Sequence, residues 1–301
     1  MKAVVIALLL VLPVSILADD SIQDDSHHDV PPETLAVLIA DQADNRIRLF
    51  DPLNTDIHRA TLWCYPGEDE KTHHYRPTDA KRVEIDGVVH VLAAYHGRVR
   101  LVRFSDRMLI QDYSTLSSCH SAEILPGGAI VSANSNHGIL RLHHSEDEFF
   151  DLKIPYAHGL AWDKVRNCLW VLGDFLYCIN YLEGRLVLDR KFKLPLSPTG
   201  HDLFPLREDA ALLISNNEAL FSFDIKTEKF EMIFALRNIK SASQHLDGSI
   251  WVSEPKEIEG AKEWQSNAFI SLNSKAGVKR YSRETSRFYK ARWWQQVSFS
   301  Y

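Results

Sequence analysis

The sequence predicts an all-β protein, a six-bladed β-propeller closed by pairing of its N- and C-terminal strands. Three observations carry that expectation. Short apolar segments of strand length alternate with tight polar turns, and few stretches have helical periodicity. The plan repeats about every forty residues, the period of a propeller blade. Three histidines also head successive units at almost the same phase, in Cys119-His120-Ser121-Ala122-Glu123, Ala157-His158-Gly159-Leu160 and Gly200-His201-Asp202-Leu203. The same phase extended backward reaches Asp79, and extended forward it reaches Lys240. The successive intervals from Asp79 to Lys240 are 41, 38, 43 and 39 residues.

The first unit reads as a strand over 35–41, a polar turn over 42–45 and a strand over 46–51, ended by Asp51-Pro52. The second has strands over 79–85, 88–94 and 99–104, with turns at Asp86-Gly87 and His96-Gly97. The third runs 120–125, 129–133 and 139–142 around Pro126-Gly127-Gly128. The fourth is 158–162, followed by a hairpin of 169–171 against 175–177. The fifth is 201–206, 210–215 and 219–224, and the sixth is 240–245, 249–253 and 268–272. Residues 254–264 read as a short helix or a loop. The first unit lacks an inner strand, and the aromatic-basic segment 288–294 can supply it. That pairing closes the ring and removes two open sheet edges.

The first eighteen residues hold one charge, Lys2, then an apolar run to Leu17 and the small Ala18 ahead of Asp19-Asp20. The run is short for a membrane span, so 1–18 reads as a cleaved secretory signal, with a retained anchor as the alternative. The product is then secreted or periplasmic, with no stable membrane insertion after cleavage. Residues 19–33 are acidic, carry His27-His28 and end near Pro31-Pro32, a composition expected of a disordered lead-in. Residues 34–301 then make one propeller domain. The formal net charge is −6, and Lys and Arg are scattered without a basic stripe, so no nucleic-acid partner is expected. Cys64, Cys119, Cys168 and Cys178 permit disulfides in an oxidising compartment. Cys168 and Cys178 flank one hairpin, where they either bond across it or stay as buried thiols.

Several short motifs recur at equivalent points of these units. They are Pro77-Thr78-Asp79-Ala80-Lys81, His120-Ser121-Ala122-Glu123 with Gly127-Gly128 downstream, and His158-Gly159. Gly200-His201-Asp202-Leu203-Phe204-Pro205, Lys240-Ser241-Ala242-Ser243 and the cluster at 289–294 complete the set. In these motifs the chain resembles a secreted, mainly bacterial propeller family of unknown function, over most of the length beyond the leader. Thr78 stands where that family has serine, which keeps the hydroxyl. The resemblance implies the fold and brings no settled reaction. By fold alone, the plan is also similar to peptidyl-hydroxyglycine amidating lyases, six-bladed with three histidines on zinc. It is similar in the same way to oligogalacturonate lyases, propellers with histidines around a divalent metal. The sequence signatures of both groups are absent here.

Inner strands of a propeller line its axis, so the residues at their heads ring one mouth. The expected ring is Asp79, His120, His158, His201 and Lys240, with Lys290 or Arg292 from the closing strand. Three imidazoles can hold a divalent metal (zinc, manganese or calcium) and leave a position for water or substrate. Asp79 would be a fourth ligand or would fix an imidazole tautomer. Without metal, the same groups suit acid–base work on an anion such as a uronate. His120 or His158 then serves as base and His201 as acid, with Arg76 as a substrate clamp and Lys240, Lys290 and Arg292 as cationic contacts. The function expected is that of a carbohydrate-active lyase or hydrolase on an acidic oligo- or polysaccharide. The alternatives are a non-catalytic propeller binding a saccharide or protein in the same cup, and a scaffold engaging proteins along its rim.

Other residues have plainer readings. Glu123 faces a neighbouring blade, and Asp202 orients His201 or caps a turn. Asp51 and Asp224 serve turns. The pairs His27-His28, His73-His74 and His143-His144 are solvated. Trp162, Trp170 and Trp251 pack between blades, and Trp293 and Trp294 divide, one inward and one outward.

Overall fold

The β-rich sequence folds into six four-stranded antiparallel sheets, one per blade. The computed structural model describes residues 36–54, 60–72, 74–206, 210–272, 277–297 and 299–300. The leader read in 1–18, the lead-in over 19–33, His73 and the turn at 207–209 lie outside the described residues. Among the described residues, no helix is long and apolar enough to cross a membrane. Residues 254–264 form turns and extended chain rather than a helix.

The inner strands are Pro77–Ile85, Cys119–Ile124, Gly159–Asp163, Gly200–Pro205, Ala242–Gln244 and Phe288–Trp293. The last belongs to the first blade and pairs with Val37–Asp41, setting Trp293 opposite Val37 and Ala291 opposite Ile39. The chain ends therefore close the ring within one sheet, as the sequence implied. Each blade also has an outermost strand that the apolar pattern did not reveal, for example Leu109–Ser114, Phe149–Lys153 and Lys229–Phe234. These strands are half-exposed at the rim, so they lack the strong alternation of a strand with one buried face.

Aromatic residues fill the clefts between blades. Trp294 lies 4.8 Å from Phe104, which stacks 5.3 Å from Trp63, joining the first and second blades. Trp293 points to the opposite face of its sheet and meets Trp251 edge-on at 5.2 Å, joining the sixth blade. Both tryptophans are buried, so they divide between two cores and neither faces out. Trp162 and Trp170 pack in the clefts on either side of the fourth blade. His143 departs from its expected solvated setting. It is buried, stacked 5.2 Å from Tyr113, with Nε2 3.0 Å from Ser132 Oγ. Its position on an inter-blade strand face, set by alternation, overrides the polarity of the His143-His144 pair. All four cysteines are buried free thiols.

Charge fills the axis. Arg292 forms a fork with Asp202, at 3.0 Å from Nη1 to Oδ2 and 2.7 Å from Nη2 to Oδ1. Its Nε lies 3.2 Å from Asp79 Oδ1. Lys290 Nζ sits 3.0 Å from Asp202 and 3.4 Å from Asp79. Two cations thus balance two anions, and Ser121 Oγ and the Ala242 amide also donate to Asp79 Oδ2 and Asp202 Oδ2. A second pair lies near them, with Lys81 Nζ 3.0 Å from Glu123 and 2.7 Å from the Leu160 carbonyl. Glu123 faces neighbouring blades as read. Asp202 neither orients His201 nor caps a turn; its partners are the closing strand's cations.

Burying these ions is tolerable only while each has its counter-charge. Arg292→Met should therefore lower stability by about 3–5 kcal/mol, read as a fall in denaturation midpoint. Asp202→Asn in the same chain should recover part of that loss in a double-mutant cycle. Burial raises the pKa of Asp79 and Asp202, but the charge of Arg292, then Lys290, outweighs it and both end below the usual carboxylate range. A depressed carboxylate pKa stabilises the fold above its unfolded value of about 4 and loses that contribution as pH falls further. Chemical denaturation at stepped pH should show this acid-side loss, diminished in Asp202→Asn.

Candidate functional site

The heads of the inner strands carry a repeated irregularity. At Thr78, His120 and His201 the register slips by one residue against the neighbouring strand. The closing strand slips at the same level, where Tyr289 and Lys290 together face Ala40. A bulge puts two residues against one and re-aims a side chain. Here it lets adjacent residues serve two layers. Thr78, His120, His201 and Tyr289 line a mouth cavity, while Asp79, Ser121, Asp202 and Lys290 form or support the ion cluster beneath. His158 and Lys240 reach the same cavity from just ahead of their strands. Gly159 follows His158 because the fifth blade's inner strand comes close, and a Cβ there would sit 2.6 Å from that of Leu203.

The resulting cup has a volume of about 290 Å³. His96, His120, His158 and His201 form an arc of imidazoles, with successive ring centroids 5.8, 4.4 and 5.8 Å apart. Tyr289, Tyr156, Lys240, Glu263 and Trp264 complete much of the wall. His120 Nδ1 lies 3.1 Å from Tyr289 Oη. His158 Nδ1 lies 3.0 Å from the Tyr156 carbonyl, which can only accept, so Nδ1 carries the proton and Nε2 the lone pair. Ser135 Oγ, 2.9 Å away, accepts from the same N–H.

His201 Nε2 has two neighbours, Asn217 Oδ1 at 2.5 Å and Lys240 Nζ at 2.9 Å. An amide oxygen accepts, so Nε2 bears hydrogen, and the Lys240 nitrogen lies beside it. Burial, opposed by Glu263, pulls the Lys240 pKa down to about 8. Nδ1 of His201 is then the unprotonated nitrogen, and it is buried without a hydrogen-bond partner among the described residues. Burial also lowers His120 to about 3, His201 to about 4 and His158 well below its usual value, with neighbouring cations adding to the shift. Burial raises the Tyr289 phenol strongly, so it keeps its proton. The cup holds neutral imidazoles, a lysine that loses its proton near pH 8 and a protonated phenol.

The sequence placed His120, His158, His201 and Lys240 at the mouth, and the structure brings these four together. It moves the others. Asp79 is one residue out of phase, because the bulge gives the mouth position to Thr78, and its carboxylate sits in the ion cluster. Lys290 and Arg292 are the cations of that cluster and do not line the cup, where their strand contributes Tyr289 instead. Arg76 is exposed beside His96, whose amide donates to its carbonyl, and is not part of the cup's lining. Sequence reasoning missed His96, Tyr156, Asn217 and Tyr289. Only Tyr289 carried a signal, its place one residue before Lys290 matching His201 before Asp202. Among the described residues, no group of three His, Cys, Asp or Glu side chains is arranged to hold a metal ion. One ring nitrogen each of His120, His158 and His201 is engaged, by Tyr289, Tyr156 and Asn217, and Lys240 abuts His201.

The chain belongs to a family of unknown function (DUF6528), which it matches over residues 1–301. No curated protein matches it. Among solved structures it is similar to a protein of unknown function from Bacteroides caccae. The TM-score is 0.59 at 11% identity, covering 86% of this chain and 98% of that one. It is also similar to a catalytically inactive, histidine-to-alanine virginiamycin B lyase from Staphylococcus aureus with quinupristin. There the TM-score is 0.52 at 13% identity, covering 83% and 85% of the two chains. A selenomethionine form of the same lyase gives 0.51 at 14% identity, covering 84% and 86%. At these identities the likeness is one of fold.

The neutral arc has a measurable signature. In an NMR titration of the ring nitrogens, His120 should stay neutral down to about pH 3 and His201 down to about pH 4. Each is ordinarily protonated below about 6.5, so the unfolded chain takes up these protons first. Stability is complete above that value and declines as pH falls below it. Either histidine titrating near 6.5 in the folded protein would refute the dry arc.

Proposed function

We propose that the cup is the active site of a lyase acting on an acidic saccharide. The observation that carries this reading is Lys240, its Nζ 2.9 Å from His201 Nε2 and facing the same cavity as the Tyr289 phenol. A lysine brought near the working pH by burial is suited to act as a general base. In this reading the Lys240 amine takes the proton beside the uronate carboxylate, and the C–H electron pair forms a carbon–carbon double bond. The bond to the neighbouring glycosidic oxygen breaks. That oxygen takes the phenolic proton of Tyr289, whose phenolate is held by the His120 Nδ1–H. Proton exchange with solvent then resets Lys240 and Tyr289. No water is consumed, and one unsaturated and one saturated fragment leave.

His158 Nε2, unprotonated, accepts a hydrogen bond from a sugar hydroxyl. Arg76 at one lip and Arg237 at another give the approach positive charge, which favours an acidic ligand. Lyase chemistry is named for the Staphylococcus aureus structural neighbour, and a lyase reading here accords with it. Secretion through the leader read in 1–18 would expose the site to extracellular or periplasmic saccharides. A second reading, binding without turnover, is favoured by Trp264, an aromatic wall of the cup suited to a sugar face.

Incubation with uronate oligosaccharides should release products with the ultraviolet absorbance of a double bond conjugated to a carboxylate. The rate should rise with pH through about 8, as the Lys240 ammonium loses its proton. Lys240→Met should cut kcat/KM by about 10²–10⁴ with the thermal midpoint retained, and Tyr289→Phe should do likewise. Saccharide binding without cleavage, unchanged by Lys240→Met, would establish the binding reading instead.

A further inference from the structure

The cup does not end at Lys240. A second cavity, of about 350 Å³, shares Tyr156, His201, Lys240 and Glu263 with it and continues to Asn217, Arg237 and Asn238. Tyr156 stands between the two, its ring centroid 4.1 Å from that of His158 and 6.5 Å from that of His201. Its backbone is unusual, with φ at +56°, a conformation a bulky side chain adopts rarely. Such strain persists only where the surroundings impose it, and it gathers at ligand sites. Here the surroundings are specific. The Tyr156 carbonyl accepts from His158 Nδ1, and the Asp174 amide reaches the Pro155 carbonyl. The turn also lies against Gly173, where a Cβ would come within 2.5 Å of the Pro155 carbonyl oxygen and 3.4 Å of the Tyr156 carbonyl. A glycine on one side and a histidine on the other thus hold a tyrosine ring at the junction of two cavities.

We infer that the second cavity is an additional saccharide subsite, with Tyr156 as the platform over which the ligand passes between the two. This rests on the acidic-saccharide reading of the cup and specifies its ligand as at least a disaccharide. One unit sits among the imidazoles. The next lies across Tyr156 toward Asn217 and Asn238, its carboxylate meeting Arg237. That guanidinium is largely exposed and is paired with the exposed Glu218 at 3.1 Å, a contact weak enough to yield to an incoming carboxylate. A flat aromatic surface suits the apolar face of a sugar, and a fork-shaped cation suits its acid group.

The probes are galacturonic acid, its dimer and its trimer, titrated calorimetrically against the full chain and its Tyr156→Asn and Arg237→Gln variants. Asparagine tolerates the left-handed backbone, so the first variant removes the platform and spares the turn; thermal midpoints check this. The expected result is a gain of tenfold or more in affinity from monomer to dimer in the parent chain. Each variant should lose most of that gain, and Arg237→Gln should keep the parent's monomer affinity. Equal affinity for monomer and dimer, or variants that keep the gain, would overturn the subsite and leave the cup reading standing. Length-dependent binding without cleavage would sink the lyase reading and leave the subsite. Failure of all three sugars to bind would overturn the subsite together with its acidic-saccharide premise.

Discussion

The structure turns on the ion cluster at the axis, where Arg292 and Lys290 meet Asp79 and Asp202. Six twisted sheets packed around a channel leave their inner strands with polar positions that cannot all reach water. Balancing two cations against two carboxylates, with further amide and hydroxyl donors on their oxygens, makes that burial tolerable. The cations come from the closing strand and the anions from the second and fifth blades. The ring therefore joins across its axis as well as around its circumference. The cluster also decides what can happen above it. Its charges cancel and its groups are saturated, so it acts as a floor and contributes little net charge to a ligand.

Above the floor, the bulges decide which side chains face the cup. In a regular strand His201 and Asp202 would point to opposite faces, and only one could be near the axis. The extra residue lets both turn inward at different heights. The mouth layer is drier than a ring of histidines suggests, and this dryness bears on which group could take a proton. Imidazoles kept neutral to acid pH are poor bases in their resting state, however well they are placed. Lys240, ordinarily too basic to be neutral, is brought by the same burial into the range where it can take a proton. In the proposed lyase the histidines serve as hydrogen-bonding walls and the amine as the reactive group.

Much of the fold was legible because its signals are local or periodic. Turn residues such as Pro126-Gly127-Gly128 and Asp86-Gly87 marked hairpins, and the forty-residue repeat gave the blade count. The closing strand was legible by default, since the first unit had no inner strand of its own. The outermost strands were not, because Leu109–Ser114 and Lys229–Phe234 bury too little to show a pattern. At the site, His120, His158, His201 and Lys240 were found by phase. Asp79 was misplaced by one residue because a bulge leaves no trace in an interval of about forty. Tyr156 and Asn217 were invisible for a different reason. They come from connecting segments, whose approach to the axis depends on how blades pack and not on any repeat.

One hexapeptide ties closure to chemistry. Phe288–Trp293 supplies the first blade's inner strand. Within it Tyr289 faces the cup, Lys290 and Arg292 complete the floor, and Trp293 fills the cleft toward the sixth blade. These residues are separated by more than two hundred positions from the Val37–Asp41 strand they pair with. Contacts of such separation form late, since the chain between them must be ordered before they are rewarded. Until they form, Asp79 and Asp202 lack their cations, and His120 lacks the phenol at its Nδ1. The cup is therefore not an ornament on a finished propeller. The same step that seals the ring neutralises its axis and sets the last wall of the site.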